Sequence, residues 1–253
     1  MCCFSRPVES VSATNIFARS DADGRQFLVY SMTLRAREDL AMVLPLPVKP
    51  GSGEKAVTFI DLKDYADFFK DLARGFPAVE QIPGGALSRS FGAAPPAKLD
   101  VITVGNFEAS FVPNIADFSR LDARFRLPAG TWDKLPAYRD HGFAVFKLKS
   151  GNAKVHPMAF SFPRAKPAEL FFPTVHIHDG EVHGRADFDH VLYSQRGPSD
   201  SFTLLDWDES IRPVGLYMQM PKAKGVLDAG EHCHRHVLLG TLPNKDTVLK
   251  SEE

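Results

Sequence analysis

Apolar positions along this chain alternate with polar ones far more often than they recur at helical spacing. Asn15 to Ser20 and Arg25 to Leu34 are β-prone runs flanking Asp21-Ala22-Asp23-Gly24, a short turn ending in glycine, and together they predict a hairpin. Ala41 to Leu46 is apolar at nearly every position, which predicts a strand buried on both faces, and Val57 to Ile60 predicts a fourth strand. Leu99 to Val104 and Phe107 to Val112 resume the strand pattern. From Phe143 onward the chain reads as sheet: Phe143 to Lys149, Val155 to Phe162, Glu169 to His178, Phe188 to Gln195, Arg212 to Gln219 and His232 to Gly240.

Helical spacing is confined to the first half. Tyr65, Phe68, Phe69, Leu72 and Phe76 predict a helix over Asp64 to Arg74, with Asp61 or Asp64 as N-cap and Gly75 for a left-handed end. Asp117 to Phe125 predicts a short second helix, and Thr131 to His141 a third that Pro136 either opens or divides. Residues 77–98, rich in Pro, Gly, Ala and Ser, predict a long surface or binding loop inside a single domain over residues 1–253. Strands that do not alternate regularly with helices give an α+β fold, mostly antiparallel β-sheet with two or three short helices in the first half.

Composition sharpens this picture. Phe occurs 20 times against 2 Trp, and Pro 19 times, which fits many short strands joined by irregular connections. A net charge of -1 supplies no single-signed field for nucleic acid. The longest apolar stretch near the N-terminus, Leu40 to Val48, is about half of what a bilayer span needs, so no membrane span is expected. The first residues, MCCFSRPVES, lack the basic and apolar regions of a secretory signal, and three cysteines are too few for a disulfide scaffold; a cytoplasmic protein is expected.

Ala41-Met42-Val43-Leu44-Pro45-Leu46-Pro47 resembles the "VVPVP" strand of an uncharacterised bacterial family, a domain of unknown function. Val104-Gly105-Asn106-Phe107-Glu108-Ala109, Gly142 to Phe146 and His156-Pro157-Met158-Ala159-Phe160 continue the resemblance, which covers roughly residues 26–175. It implies a fold neighbourhood and no chemistry. Members of that family are typically exported and carry cysteines near the mature N-terminus; this chain departs from that pattern, with Cys2 and Cys3 next to Met1 and no leader expected.

Seven of the 9 histidines lie between residues 176 and 236. Asp179-Gly180 is a favoured two-residue hairpin turn, which would pair His178 with Glu181 and His176 with His183. Period-two alternation then sets His176, His178, Glu181 and His183 on one face, a ligand set suited to Zn or Fe. His232, His234 and His236 would share a face of the last strand, either as a second wall of that site or as a solvated edge strand. The same residues also serve as the polar surface of a hairpin, and neither HExxH nor paired CxxC is present.

A second constellation starts at Cys2. Removal of Met1 would leave a cysteine whose own α-amine is its general base, as in N-terminal-nucleophile amidohydrolases, with Arg19 and Asp21 on the first hairpin as partners. Gly51-Ser52-Gly53-Glu54-Lys55-Ala56 matches GxGxxA but precedes a strand, so no dinucleotide is expected there. Three functions stay open: a non-catalytic binding or structural module, a histidine-rich metal protein or metal-dependent enzyme, and an N-terminal-cysteine hydrolase.

Overall fold

The computed structural model describes residues 2–77, 101–104, 107–127, 130–178, 181–198 and 200–251. Strands in chain order are β1 Cys2–Phe4, β2 Ser10–Ser20, β3 Arg25–Ala36, β4 Leu40–Leu46, β5 Thr58–Asp61, β6 Ile102–Val104, β7 Phe107–Val112 and β8 Gly142–Leu148. They continue with β9 Gly151–Pro163, β10 Glu169–Phe172, β11 His176–Ile177, β12 Arg185–Gln195, β13 Asp208–Glu209, β14 His234–Pro243 and β15 Thr247–Lys250. The α-helices are short, α1 Phe68–Ala73 and α2 Met220–Ala223. The architecture is sheet-rich, in the broad α+β class, and its sheets are both mixed and antiparallel.

One sheet runs in the order β11-β1-β4-β8-β7-β6 and a second in the order β13-β14-β12-β2-β3-β9-β5, while β10 pairs with β15. Parallel pairing joins β1 to β11 and β2 to β12; the other ladders are antiparallel. The sheets pack face to face. Phe4, Met42, Leu44 and Phe146 from the first meet Ile16, Leu28, Tyr30 and Phe160 from the second in one core. Alternate residues point outward and are covered again. Ala41, Val43, Phe143 and Val145 pack under Phe118, Leu121, Phe125 and Tyr138. Phe17, Val29, Ala159 and Tyr193 pack under α1 and the segment carrying Val214, Ala223 and Val226. This double cover is why β4 is buried at all seven positions.

The first hairpin forms as its turn dictates. Asp21 Oδ1 accepts the N–H groups of Asp23 (3.1 Å) and Arg25 (2.8 Å), and Gly24 takes φ 75°. The helix expected over Asp64 to Arg74 divides into a 3₁₀ turn, Lys63–Tyr65, and α1. The second expected helix becomes two 3₁₀ turns, Ile115–Arg120 and Ala123–Phe125, because Leu121 is extended (ψ 157°) and Asp122 caps a new turn at Arg124 N–H. The third becomes Trp132–Lys134 and Pro136–Tyr138, divided where Pro136 has no N–H to continue the first turn.

Two expected strands differ as well. Glu169 to His178 breaks at Pro173: β10 pairs with β15, whereas β11 joins the first sheet. Arg212 to Gln219 is no strand but a 3₁₀ turn, Val214–Leu216, held by Gly215 N–H on Ala229 O at 3.0 Å. Residues 78–98 of the expected long loop lie outside the described residues, as do the turn residues Asp179 and Gly180. Among the described residues, no helix is long and apolar enough to cross a membrane.

Phe146 sits at the centre of the interface, with ring centroids 5.7 Å from Phe59, 5.8 Å from Phe160 and 6.3 Å from Phe107. Phe146→Ala is expected to lower stability by about 3–5 kcal/mol in urea unfolding. Leu205→Ala, at a side chain 89% exposed, should stay within about 0.5 kcal/mol. Equal costs at the two positions would contradict the packing described.

Candidate functional site

Three residues at the start of the chain form an inner strand of the first sheet. β1 lies between β4, its antiparallel neighbour through Cys3↔Val43, and β11, its parallel neighbour through Cys2↔His176. Cys3, Phe4 and Ser5 are buried. Ser5 Oγ accepts Ala41 N–H at 2.9 Å and donates to Arg124 O at 3.2 Å, so the strand is anchored where it leaves the sheet.

β11 brings the histidines to this strand. It is held on its other side by side chains that mimic a neighbouring strand. Asn244 accepts His176 N–H (2.7 Å) and donates to the carbonyls of His176 and His183 (2.9 Å each). Asp246 accepts the N–H groups of Thr174 (2.8 Å) and Val175 (3.0 Å) through one oxygen and the Tyr138 hydroxyl (2.5 Å) through the other. Burial, and then the Asp246 charge, push the Tyr138 phenol well above its usual range.

The His176 ring stacks on His178 (centroids 4.8 Å) and meets His190 edge-on (4.6 Å), with Phe188 at 4.5 Å. His176 Nε2 lies 3.2 Å from His190 Nε2. His178 in turn lies 5.7 Å from the Phe4 ring. These contacts tie the edge of one sheet to the middle of the other. Burial lowers His176 to about 3, with the neighbouring His178 adding to the effect. Burial likewise lowers His190 to about 2, with His176 as the next cause. Both rings are therefore neutral, and one can donate its N–H to the other. The sequence reading missed His190 as a site residue; its signal was the alternation Phe188-His190-Leu192 on the buried face of β12.

The residues expected as one ligand set are dispersed. His176 and His178 are together, but β11 pairs with β1 and no ladder joins 176–178 to 181–183 among the described residues. Glu181 reaches Lys134 Nζ at 2.8 Å on the surface, and His183 contributes its carbonyl to Asn244. His232 Nδ1 sits 2.7 Å from Ser210 O and 3.5 Å from Glu209. His234 lies where β14 meets β13, its imidazole lowered by burial. Among the described residues, no group of three or more His, Cys, Asp or Glu is arranged to hold a metal ion.

Cys2 belongs to β1 in the first sheet, whereas Arg19 belongs to β2 in the second. The Arg19 guanidinium donates to Val226 O and Gly225 O, both at 3.0 Å, and lies over the Phe27 ring. Asp21 forms the hairpin turn. The partners expected for Cys2 thus have structural work in another sheet. Cys233 is fully buried, and burial pushes its thiol well above the usual range.

No family model matches the chain, and comparison with curated proteins finds no match. Solved structures do match. The chain is similar to a mutated baculovirus P35 after caspase cleavage, at 13% identity, over 95% of this chain and 100% of that one, with TM-score 0.51. Baculovirus P35 itself matches at 13% identity over 96% and 97% of the two chains, with TM-score 0.48. P35 in a caspase-8/P35 complex matches at 13% identity over 95% and 96%, with TM-score 0.46. The first of these likenesses establishes a shared fold over the length of the chain.

The buried histidine pair makes stability depend on pH. Above the usual imidazole value of 6.5 the rings are neutral whether the chain is folded or not, and their full contribution is present. Below it the unfolded chain takes up protons that the folded one refuses, so stability falls until the folded-state value near 3 is reached. The expected slope is up to about 1.4 kcal/mol per pH unit for each histidine. Urea unfolding between about pH 7 and about pH 4.5 should show this decline, and His190→Gln should make it shallower, while the other buried imidazoles, such as His234, contribute equally in both proteins. An unchanged slope in the variant would contradict the neutral pair.

Proposed function

We propose that this chain is a non-catalytic protein-binding module, and that its partner is a protease that cleaves it. The observation that carries this reading is the shared fold, end to end, with a P35 described after caspase cleavage. The interior chemistry is consistent with it. Arg19, His176, His190 and Asp246 are each engaged in contacts between distant segments of the fold, and the Cys233 thiol is fully buried. A chain whose sheets are covered on both faces offers a partner its connections, strand edges and exposed apolar positions rather than an internal cleft. On this reading the compartment is the cytoplasm, and no cofactor takes part.

The test is incubation of the purified chain with a panel of caspases, and with unrelated cysteine and serine proteases as controls. Intact mass and size-exclusion chromatography are the readouts. The expected outcome is cleavage by one or more caspases and not by the control proteases, with the caspase and the chain eluting together. If no caspase cuts the chain and none elutes with it, the proposal fails.

A further inference from the structure

The second sheet ends on an unusually bare edge. β14 is ten residues long, but its outer neighbour β13 pairs only with Arg235 and His234. Next to it, Trp207 stacks on His236 at 5.3 Å, and Asp206 O lies 2.9 Å from His236 Nδ1. Beyond that point, Val237 to Leu242 has β12 on one side and no strand on the other among the described residues.

The register says which groups face outward. Asn244 N–H donates to Gly184 O at 3.0 Å, and in an antiparallel ladder inward-bonded pairs alternate with outward-facing ones. The main-chain groups of Val237, Leu239 and Thr241 therefore point to the open side; the Thr241 carbonyl is taken by Arg185 Nη2. The side chains on this edge are apolar and uncovered: Leu239 is 73% exposed and Val237 46%. Leu205, on the turn beside His236, is 89% exposed. At Gly240 a Cβ would meet nothing within 4 Å, so the space around the backbone is open. Edge strands of this length and polarity are usually shielded by charge, proline or a covering segment. The run Val237-Leu238-Leu239-Gly240-Thr241-Leu242 contains no charged residue and no proline.

We propose that this edge is covered by a second copy of the chain, β14 pairing antiparallel with its counterpart about a two-fold axis near Leu239 and Gly240. The run can face itself without setting like charges opposite each other, the condition that self-pairing imposes. The net charge of -1 leaves almost no long-range repulsion between two copies. Outward-facing residues are all odd-numbered, so an axis at Leu239 or at Gly240 pairs odd with odd and keeps the hydrogen bonds in phase. The two seven-stranded sheets would then continue into one, with Val237 and Leu239 of both copies in a shared apolar strip.

Sedimentation velocity of the full chain over a concentration series tests this, together with amide hydrogen exchange at low and high concentration. A dimer is expected to form with rising concentration, and exchange at Val237, Leu239 and Thr241 to slow with it. Leu239→Lys and Val237→Lys should each weaken the dimer by at least about tenfold, without lowering the melting temperature at a concentration where the wild type is monomeric. Binding of a protease should persist in both. A chain that stays monomeric throughout, or a dimer indifferent to both substitutions, would overturn the proposal; so would an edge protected equally at all concentrations.

Discussion

The structure depends on two sheets pressed together through a layer of aromatic and branched side chains. Phe146 and Phe160 approach across the interface, with Tyr30, Leu44 and Met42 around them. Because each strand has only two faces, filling this layer leaves every second residue pointing away from it. In this chain those residues are also apolar. Phe17, Val29, Phe143 and Val145 must therefore be covered as well, and the segments between strands do it. Turn segments between Ile115 and Tyr138 cover one outer face, and α1 with the chain near α2 covers the other. Their brevity follows from the role: each needs only to bring two or three side chains onto a sheet that is already formed.

A fold with so little exposed sheet face must satisfy many main-chain groups where strands stop. Side chains from distant parts of the sequence do so here. Gln26 exchanges two hydrogen bonds with the backbone of Phe171, and Gln195 does the same work at Asp228. Asp189 accepts the N–H of Ala13, which sits at φ 51° in the irregular step of β2 between Ser12 and Asn15. Asn244 and Asp246 hold β11 and the residues before it. An unsatisfied buried amide costs about 1–3 kcal/mol, so each of these side chains decides whether its strand end is tolerable inside the protein. Polar residues that look like site candidates in the sequence are, in this molecule, frequently the fittings of strand ends.

The two borders at β11 and β14 differ in this respect. At β11 the border is closed by a carboxamide that copies the hydrogen bonds of a strand. At β14 the Arg185 side chain takes the Thr241 carbonyl, no carboxamide copies a strand among the described residues, and the side chains there are the apolar ones that elsewhere lie inside. The likeness to P35 concerns the fold that both borders belong to, and by itself carries no chemistry for either of them.

Much of the strand content was legible in the chain, since period-two alternation is a local property. The first hairpin was readable from Asp21 to Gly24 because an aspartate that caps its own turn acts over four residues. The doubly buried β4 was readable because covering both faces removes the polar half of the pattern. Other features needed distant partners. Glu169 to His178 looks continuous, yet Pro173 and the carboxylate of Asp246 send its two parts to different sheets. The three-residue β1 has too few positions to show any period and exists only between β4 and β11. The expected grouping of His176 with Glu181 and His183 rested on a local turn, whereas His176 in the folded chain meets His190, fourteen residues away and on the other sheet. Local spacing determined which side chains share a face of one strand; which faces were brought together was decided by the packing of the sheets, which no single stretch of sequence contains.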